Sequence, residues 1–590
     1  MSRPAADTAV QLPRRYWPAD QVDRILRQTL SYTLDADLSD LTAPERLVVA
    51  ELVEVGWNLD RVYRDQLHHQ ALRSREKLAE LHEDLGRPAR TRDLLRLYDQ
   101  FQGPIVTTLE NDLVPFLPVD GFTKGKSFYP WAIERDEIDD FLGEHPERRE
   151  GLLGLHTVVR RTKPVALRRD LRTLRRHPEL AALHPGLEAT LQALAAVPER
   201  EAFYAVPFSI AWPTEILEAS RRLSVSAAAI ESQEPDTAAY LRQRARDLLT
   251  DDNEAGDAAW VRGQVGRLDA VIGAYEVYDD DLFGAKASFG TTLLLRDEAA
   301  TAILQTELAR LQEIEAALPY ESRRSVRTDI PVVSVNVLAA FGAGRTAGAE
   351  ILPNDPVLMR KYGRKILIRR NLYTHADAFA RVQARWKATV FPDHADDLTP
   401  AGRYQQVVWH EIGHYLGPDT DRSGRSLEVT LQAECSPIEE LKAELVSQFA
   451  TNQLRTMGLV NDAEARAVAA SAVLSSLRPV RPLRFQPYPT LWLMELNYFL
   501  EHGFLVYEAG GLGIRYDRHP EVVEGMLTEV LAIQEDGSRQ RAAEFISRYS
   551  GWDDRHIALA RAMQAAERYR YLNDRYGLLE DGAGALATAG

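Results

Sequence analysis

The sequence predicts an α+β chain that is mainly helical. Apolar residues recur at helical spacing from about Gln21 to Asp99, and helix signals dominate again from Asp377 onward. Two β-branched runs, Pro331-Val332-Val333-Ser334-Val335-Asn336-Val337-Leu338 and Lys365-Ile366-Leu367-Ile368-Arg369, read as strands. With 590 residues, 45% of them hydrophobic, the chain can bury a large core and build more than one lobe.

Taken in order, Leu41-Thr42-Ala43-Pro44-Glu45 is a helix start, followed by Leu47, Val48, Leu52 and Val53 on one face. Leu97 to Pro104 breaks that pattern. Lys124 to Pro130 is a loop ahead of an acidic helix, Glu134 to Phe141. Gly125-Lys126-Ser127 lacks the first glycine of a phosphate loop and is set aside. The arginines between Arg160 and Arg176 have no interleaved aromatics for base stacking and fit a solvated helical face. Phe203 to Phe208 is a short extended piece, and helices follow through Thr250. Gly342 to Gly348 has the wrong spacing for a dinucleotide loop, and no helix follows it. No internal repeat or long Pro- or Ser-rich linker stands out, so the lobes must share strands or be joined by several crossings.

A net charge of −16 argues against a nucleic-acid binder and against an anionic membrane surface. The single cysteine, Cys435, excludes an intrachain disulfide and fits a reducing cytoplasm. The opening residues carry no apolar signal-peptide core, and no apolar run is long enough to span a bilayer. The expectation is a cytoplasmic protein acting on a peptide or small molecule.

The chemistry centres on Val407-Val408-Trp409-His410-Glu411-Ile412-Gly413-His414-Tyr415-Leu416-Gly417-Pro418, which contains H-E-x-x-H. Histidines four apart on a helix project from one face and can grip one metal ion, with the adjacent glutamate turned to the water on that metal. Gly417-Pro418 offers a stop for the helix. Downstream, Cys435-Ser436-Pro437-Ile438-Glu439-Glu440-Leu441-Lys442-Ala443-Glu444 begins a second helix, with Glu440 and Glu444 on one face. Alone, this stretch suits a solvated acidic face. Beside the first motif it completes a catalytic zinc set of three ligands and an open position: His410, His414 and one glutamate, the other orienting a ligand imidazole.

The two motifs together resemble the dipeptidyl peptidase III zinc metallopeptidases, in the form without the extra glycine between the histidines. The resemblance implies that Glu440 is the third zinc ligand, that Glu444 stands behind a ligand imidazole, and that one zinc ion is bound per chain. It extends over about Leu97 to Ser547. Ile272 to Lys286 matches a family segment whose glutamate and tyrosine are Glu276 and Tyr278 here. Glu276 and Tyr278 have the same parity and would share one side of an extended segment. The resemblance implies that Glu276 contacts a substrate's amino terminus and that Tyr278 supports the oxyanion. Leu352-Pro353-Asn354-Asp355 matches another segment and makes Asn354 a substrate contact.

The implied fold has two lobes with a cleft: a helical zinc-bearing lobe and a mixed lobe with a small β-barrel core. The corresponding division is 1–295 for most of the mixed lobe, 296–330 for a helical-lobe segment, and 331–375 for strands returning to the mixed lobe. Residues 376–555 form the zinc lobe, and 556–590 a last helix and loose tail.

Three departures bear on substrate. Ile351 replaces a family asparagine, and Gly290 stands where a glutamate is expected. An "AHG" histidine that assists the transition state is missing after Arg484-Phe485, where His502 and His519 are nearby substitutes. The expected activity is therefore a zinc-dependent hydrolase in which Glu411 activates water. Two rival classes are a zinc hydrolase or lyase acting on a small non-peptide or amino-blocked substrate, and a non-catalytic binding protein on the same scaffold.

Overall fold

The architecture is that of a computed structural model describing residues 12–580, except 264–265, 322–324, 327–330, 346–347, 353–355 and 483–486. Asn354 lies outside the described residues, as does the tail from residue 581.

Near the amino end, strand β1 (Thr29–Leu34) interrupts the predicted helical stretch, between helices Ala19–Arg27 and Ala43–Leu67. The second of these starts where the sequence indicates. The Thr42 side chain accepts from Glu45 N, the Glu45 carboxylate answers at Thr42 N, and Pro44 occupies the first turn. The hairpin β2 (Ile105–Thr107) with β3 (Leu113–Pro115) precedes the acidic helix Arg135–Glu144, and the antiparallel pair β4 (Thr157–Arg161) with β5 (Phe203–Pro207) brackets the arginine-rich helix Pro164–Arg176 in sequence. Arg160 and Arg161 therefore sit on a strand. Arg160 pairs with the buried Asp170 across to the helix, where a wholly solvated face had been expected.

The central sheet has five strands: β6 (Leu268–Glu276), β7 (Ser288–Arg296), β8 (Val332–Gly342), β9 (Ala349–Leu352) and β10 (Lys365–Arg369). Their spatial order is β6-β7-β8-β10-β9, with only β8 and β10 parallel. Strands β6 and β9 lie at opposite ends of that order, so the small β-barrel core that was expected is present as an open half-barrel sheet.

The described core divides into two large clusters that meet at this sheet. On β10, Leu367 packs with residues 32–352 and Tyr576, whereas Ile366 and Ile368 pack with residues 304–563. On β8, Val333 joins the first cluster and Val332 the second. Successive strand residues face opposite sides, so one short apolar run supplies both cores. Beyond β10 the chain is helical, apart from hairpin β11 (Leu505–Glu508) and β12 (Gly511–Ile514), and β13 (Tyr571–Tyr576). Strand β13 pairs in parallel with β1, from Thr29 opposite Tyr571 to Leu34 opposite Tyr576.

Candidate metal centre

Two packed helices build the site. The motif helix, Pro400–Gly413, begins with Pro400 in its first turn and with the Thr399 hydroxyl accepting from Gly402 N. It ends at Gly413, four residues before the predicted stop, and His414 caps it. The reason is the second helix, Cys435–Thr456. Its buried Lys442 reaches back and donates to the carbonyls of Gly413 (2.9 Å) and Leu416 (2.8 Å), satisfying backbone acceptors that another helical turn would have used. The helices approach at a glycine: a Cβ on Gly413 would stand 2.6 Å from the Ala443 carbonyl oxygen.

This pairing brings His410, His414 and Glu440 together, with one ligand atom from each lying within 4.8 Å of the others. Glu440 Oε2 is 3.4 Å from His410 Nε2 and 3.7 Å from His414 Nε2. The other nitrogen of each imidazole is taken. His410 Nδ1 lies 3.0 Å from Glu444 Oε2, and His414 Nδ1 lies 3.1 Å from Glu439 Oε1. A carboxylate only accepts, so each Nδ1 is placed to donate outward, and Nε2 is the nitrogen that each imidazole presents toward Glu440. Gln406, one turn before His410, donates to both oxygens of Glu444 (2.8 and 2.7 Å). Glu439 is held by Lys442 (2.8 Å) and Gln534 (2.9 Å).

The electrostatics match a cation site. Burial alone would depress His410, but the carboxylates of Glu440 and Glu444, one facing each ring nitrogen, outweigh it and hold the imidazole well above the ordinary histidine value. Burial would likewise raise Glu439, yet Lys442 and His414 hold its carboxyl down at about 2. Glu440 Oε2 is buried without a hydrogen-bond partner. Two imidazole Nε2 atoms facing an orphaned carboxylate oxygen, with two further carboxylates behind the rings, form a donor set that fits a zinc ion.

Glu411 lies in the last turn of the motif helix, half-buried, next to His410. Tyr373, on helix Arg370–Thr374, is close enough to feel its charge. Burial and Glu411 together push that phenol up to about 12. Behind Glu444, Gln448 donates to the buried Glu495 (2.5 Å) and meets His519 Nε2 at 3.0 Å. Burial first, then Glu444, raises the Glu495 carboxyl well above the carboxylate range. Of the two substitute histidines, His519 thus joins the network behind Glu444. His502 stacks on Tyr498 at 4.0 Å, beside Glu501.

The predicted substrate contacts lie on the central sheet. Glu276 ends β6, and a bulge between Ala274 and Glu276 shifts the register there. Tyr278 falls in the turn beyond the strand and is 84% exposed, so the shared-side argument does not apply to it. Both residues line a cavity of about 440 Å³, together with Tyr63, Ser288, Gly290 and Thr292. Glu276 raises the Tyr278 hydroxyl above the ordinary tyrosine value. Gly290 has a steric cause: a Cβ there would meet Gly344 N at 2.6 Å, leaving no room for the glutamate expected at this position.

Glu439, Gln406, Lys442 and Tyr373 were not singled out from sequence. Three of them had a signal in spacing: Glu439 adjoins Glu440, Lys442 is three residues beyond Glu439, and Gln406 is four before His410. Tyr373 had none.

No family model matches the chain. It is 25% identical over 436 residues to Nudix hydrolase 3 of Arabidopsis thaliana, an alignment covering 72% of this chain and 54% of that protein. The chain thus spans about half the length of this relative. Among solved structures, it is similar to DPP III from Caldithrix abyssi, with a TM-score of 0.78, 22% identity, and 95% of this chain and 99% of that one covered. It is also similar to dipeptidyl-peptidase III from Corallococcus sp. strain EGB, with a TM-score of 0.70, 23% identity, and 97% and 99% covered. The chain has the dipeptidyl peptidase III fold.

Proposed function

We propose that this chain is a divergent member of the dipeptidyl peptidase III family and a zinc-dependent hydrolase that attacks an amide carbonyl. The observation that carries this reading is the cluster of His410, His414 and Glu440, with both outer imidazole nitrogens fixed by carboxylates. The fold shared over nearly the whole chain supports it.

Zinc held by His410, His414 and Glu440 would supply Lewis acidity to the scissile carbonyl and would make a water acidic near neutral pH. Glu411, beside His410, would act as the general base, taking a proton from the attacking water on its carboxylate and returning it to the leaving nitrogen. Glu444 and Glu439, by accepting from the two Nδ1 atoms, hold the imidazoles with Nε2 aimed at the metal position. Tyr278 donates to the developing oxyanion, and Glu276 and Asn354 hold the substrate.

Weak release of dipeptides from unblocked peptides is the expected activity, with better turnover of a smaller or amino-blocked substrate. The blocked space at Gly290 favours that second reading, because it removes an acceptor for an ammonium group. The test is metal analysis and turnover on matched free and amino-blocked peptides, for wild type and Glu411→Gln. About one zinc per chain is expected in both proteins. Turnover should fall by ~10²–10⁴-fold in the variant. Full activity in Glu411→Gln would remove this mechanism.

A further inference from the structure

Three arginines close to the metal centre lack the partners that buried guanidiniums ordinarily have. Arg385 lies in the last turns of helix Ala376–Thr389, Arg403 in the first turn of the motif helix, and Arg478 just after helix Asp462–Ser476. Each is partly buried. Among the described residues, no carboxylate comes within ion-pair distance of any of them, although the chain carries 87 acidic residues against 71 basic ones. The Nε atoms of Arg385 and Arg478 are buried without a hydrogen-bond partner.

Their neighbours do not supply the missing charge. Arg478 lies over the Trp492 ring at 3.6 Å and donates to the Ser475 carbonyl. Arg403 lies over Tyr373 at 5.9 Å. Glu567, whose charge reaches Arg385, is already paired with Arg381. Glu444, whose charge reaches Arg478, is occupied by Gln406 and His410. Arg385 is within electrostatic range of both the others. Burial first, then Arg385, depresses Arg403 and brings Arg478 down to about 9.

The location ties the cluster to the site. Arg403 and His410 are seven residues apart on one helix, so they share a face about two turns, roughly 10 Å, apart. An extended chain covers that span in about three residues.

We propose that Arg385, Arg403 and Arg478 form an oxyanion seat, and that the substrate worked on at the metal centre carries a carboxylate or phosphate that occupies it. Guanidinium groups suit this task, since their planar forks pair with either oxyanion. The seat would let the protein locate its substrate by an anionic end, where the blocked space at Gly290 weakens reading of an ammonium end.

This inference rests on the metal-centre reading only for what the seat serves, so the test does not use catalysis. EDTA-treated wild-type, Arg385→Gln and Arg478→Gln proteins are titrated by calorimetry with acetyl-trialanine as the free acid, with acetyl-trialanine amide, and with inorganic phosphate. Thermal unfolding of each is followed without ligand. The free acid, phosphate or both should bind wild type, at least tenfold more weakly to each variant, while the amide does not bind. Binding of the acid alone assigns a carboxylate, and of phosphate alone a phosphorylated substrate. Each variant should also melt higher than wild type without ligand, because it loses an uncompensated buried charge. Equal binding of acid and amide, unchanged affinity in the variants, or a lower melting temperature on substitution would overturn the proposal. The last result would mark the arginines as structural.

Discussion

At the scale of single residues, the centre separates groups that would touch metal from groups that aim them. His410→Ala, His414→Ala and Glu440→Ala should each strip the metal, measured by zinc content after dialysis. Glu444→Gln and Glu439→Gln should retain metal more weakly, by ~10–100-fold, since each removes the charged acceptor of an Nδ1 proton. If Glu439→Gln held zinc as tightly as wild type, its bond to His414 would be incidental. That His410, His414 and Glu440 would come together was legible, because spacing on a helix is geometry. Glu444 was found from its place one turn after Glu440, but Glu439 was passed over because a neighbour in sequence normally points to a different face. Gly290 shows the reverse limit. As a departure from a pattern it read as a lost contact; the backbone of Gly344 shows there was never room for one. Gly290→Glu should therefore lower stability, followed by thermal melting, without raising activity on free amino-terminal peptides.

Between helices, the site depends on close approach. The motif helix meets helix Asp462–Ser476 at Gly402, where a Cβ would lie 2.6 Å from Ala467, and the acidic helix at Gly413. An alanine at either place forces backbones apart, at a cost of about 1–3 kcal/mol. The two variants should differ in outcome. Gly413→Ala, beside the ligands, should lower both melting temperature and zinc affinity; Gly402→Ala, three turns earlier, should lower only the first. Loss of zinc in both would mean that the helix moves as one rigid rod. The helices themselves were readable from apolar spacing, and Thr42 and Glu45 announced the start of one of them. Strands β1, β11, β12 and β13 were not. They are short, their pairing is set by distant partners, and alternation over four to six residues is easily absorbed into a helical pattern. The barrel expectation failed on closure, since order within a sheet depends on pairings that no local pattern encodes.

For the molecule as a whole, acid stability offers a test away from the metal. His519 is held down at about 3 and His68 at about 4, in each case chiefly by burial; burial also lowers His184 and His556. Between the ordinary value near 6.5 and these depressed values, the unfolded chain binds protons that the native one does not. Stability therefore falls as pH drops through that window, by roughly 1.4 kcal/mol per pH unit for each such histidine. Asp247 and Asp251, raised by burial to about 7, titrate in the opposite sense, so the comparison must be differential. In metal-free protein, denaturant unfolding at pH 7 and pH 4.5 should show a smaller acid loss for His519→Gln than for wild type. An identical pH dependence would place the His519 proton elsewhere.

The parallel pair of β1 and β13 has a consequence for how such a chain comes off the ribosome. Strand β1 is synthesised early, yet its hydrogen-bonding partner lies about 540 residues later. At translation speeds of roughly 5–20 residues per second, β1 stays unpaired for on the order of half a minute to two minutes. Throughout that interval Tyr32 and Leu34, both buried in the finished fold, belong to a strand without a partner, whose free N–H and C=O groups can recruit other chains. Nascent chains stalled before Tyr571 should therefore depend on chaperones and aggregate when released, however complete the two helices of the candidate metal centre already are.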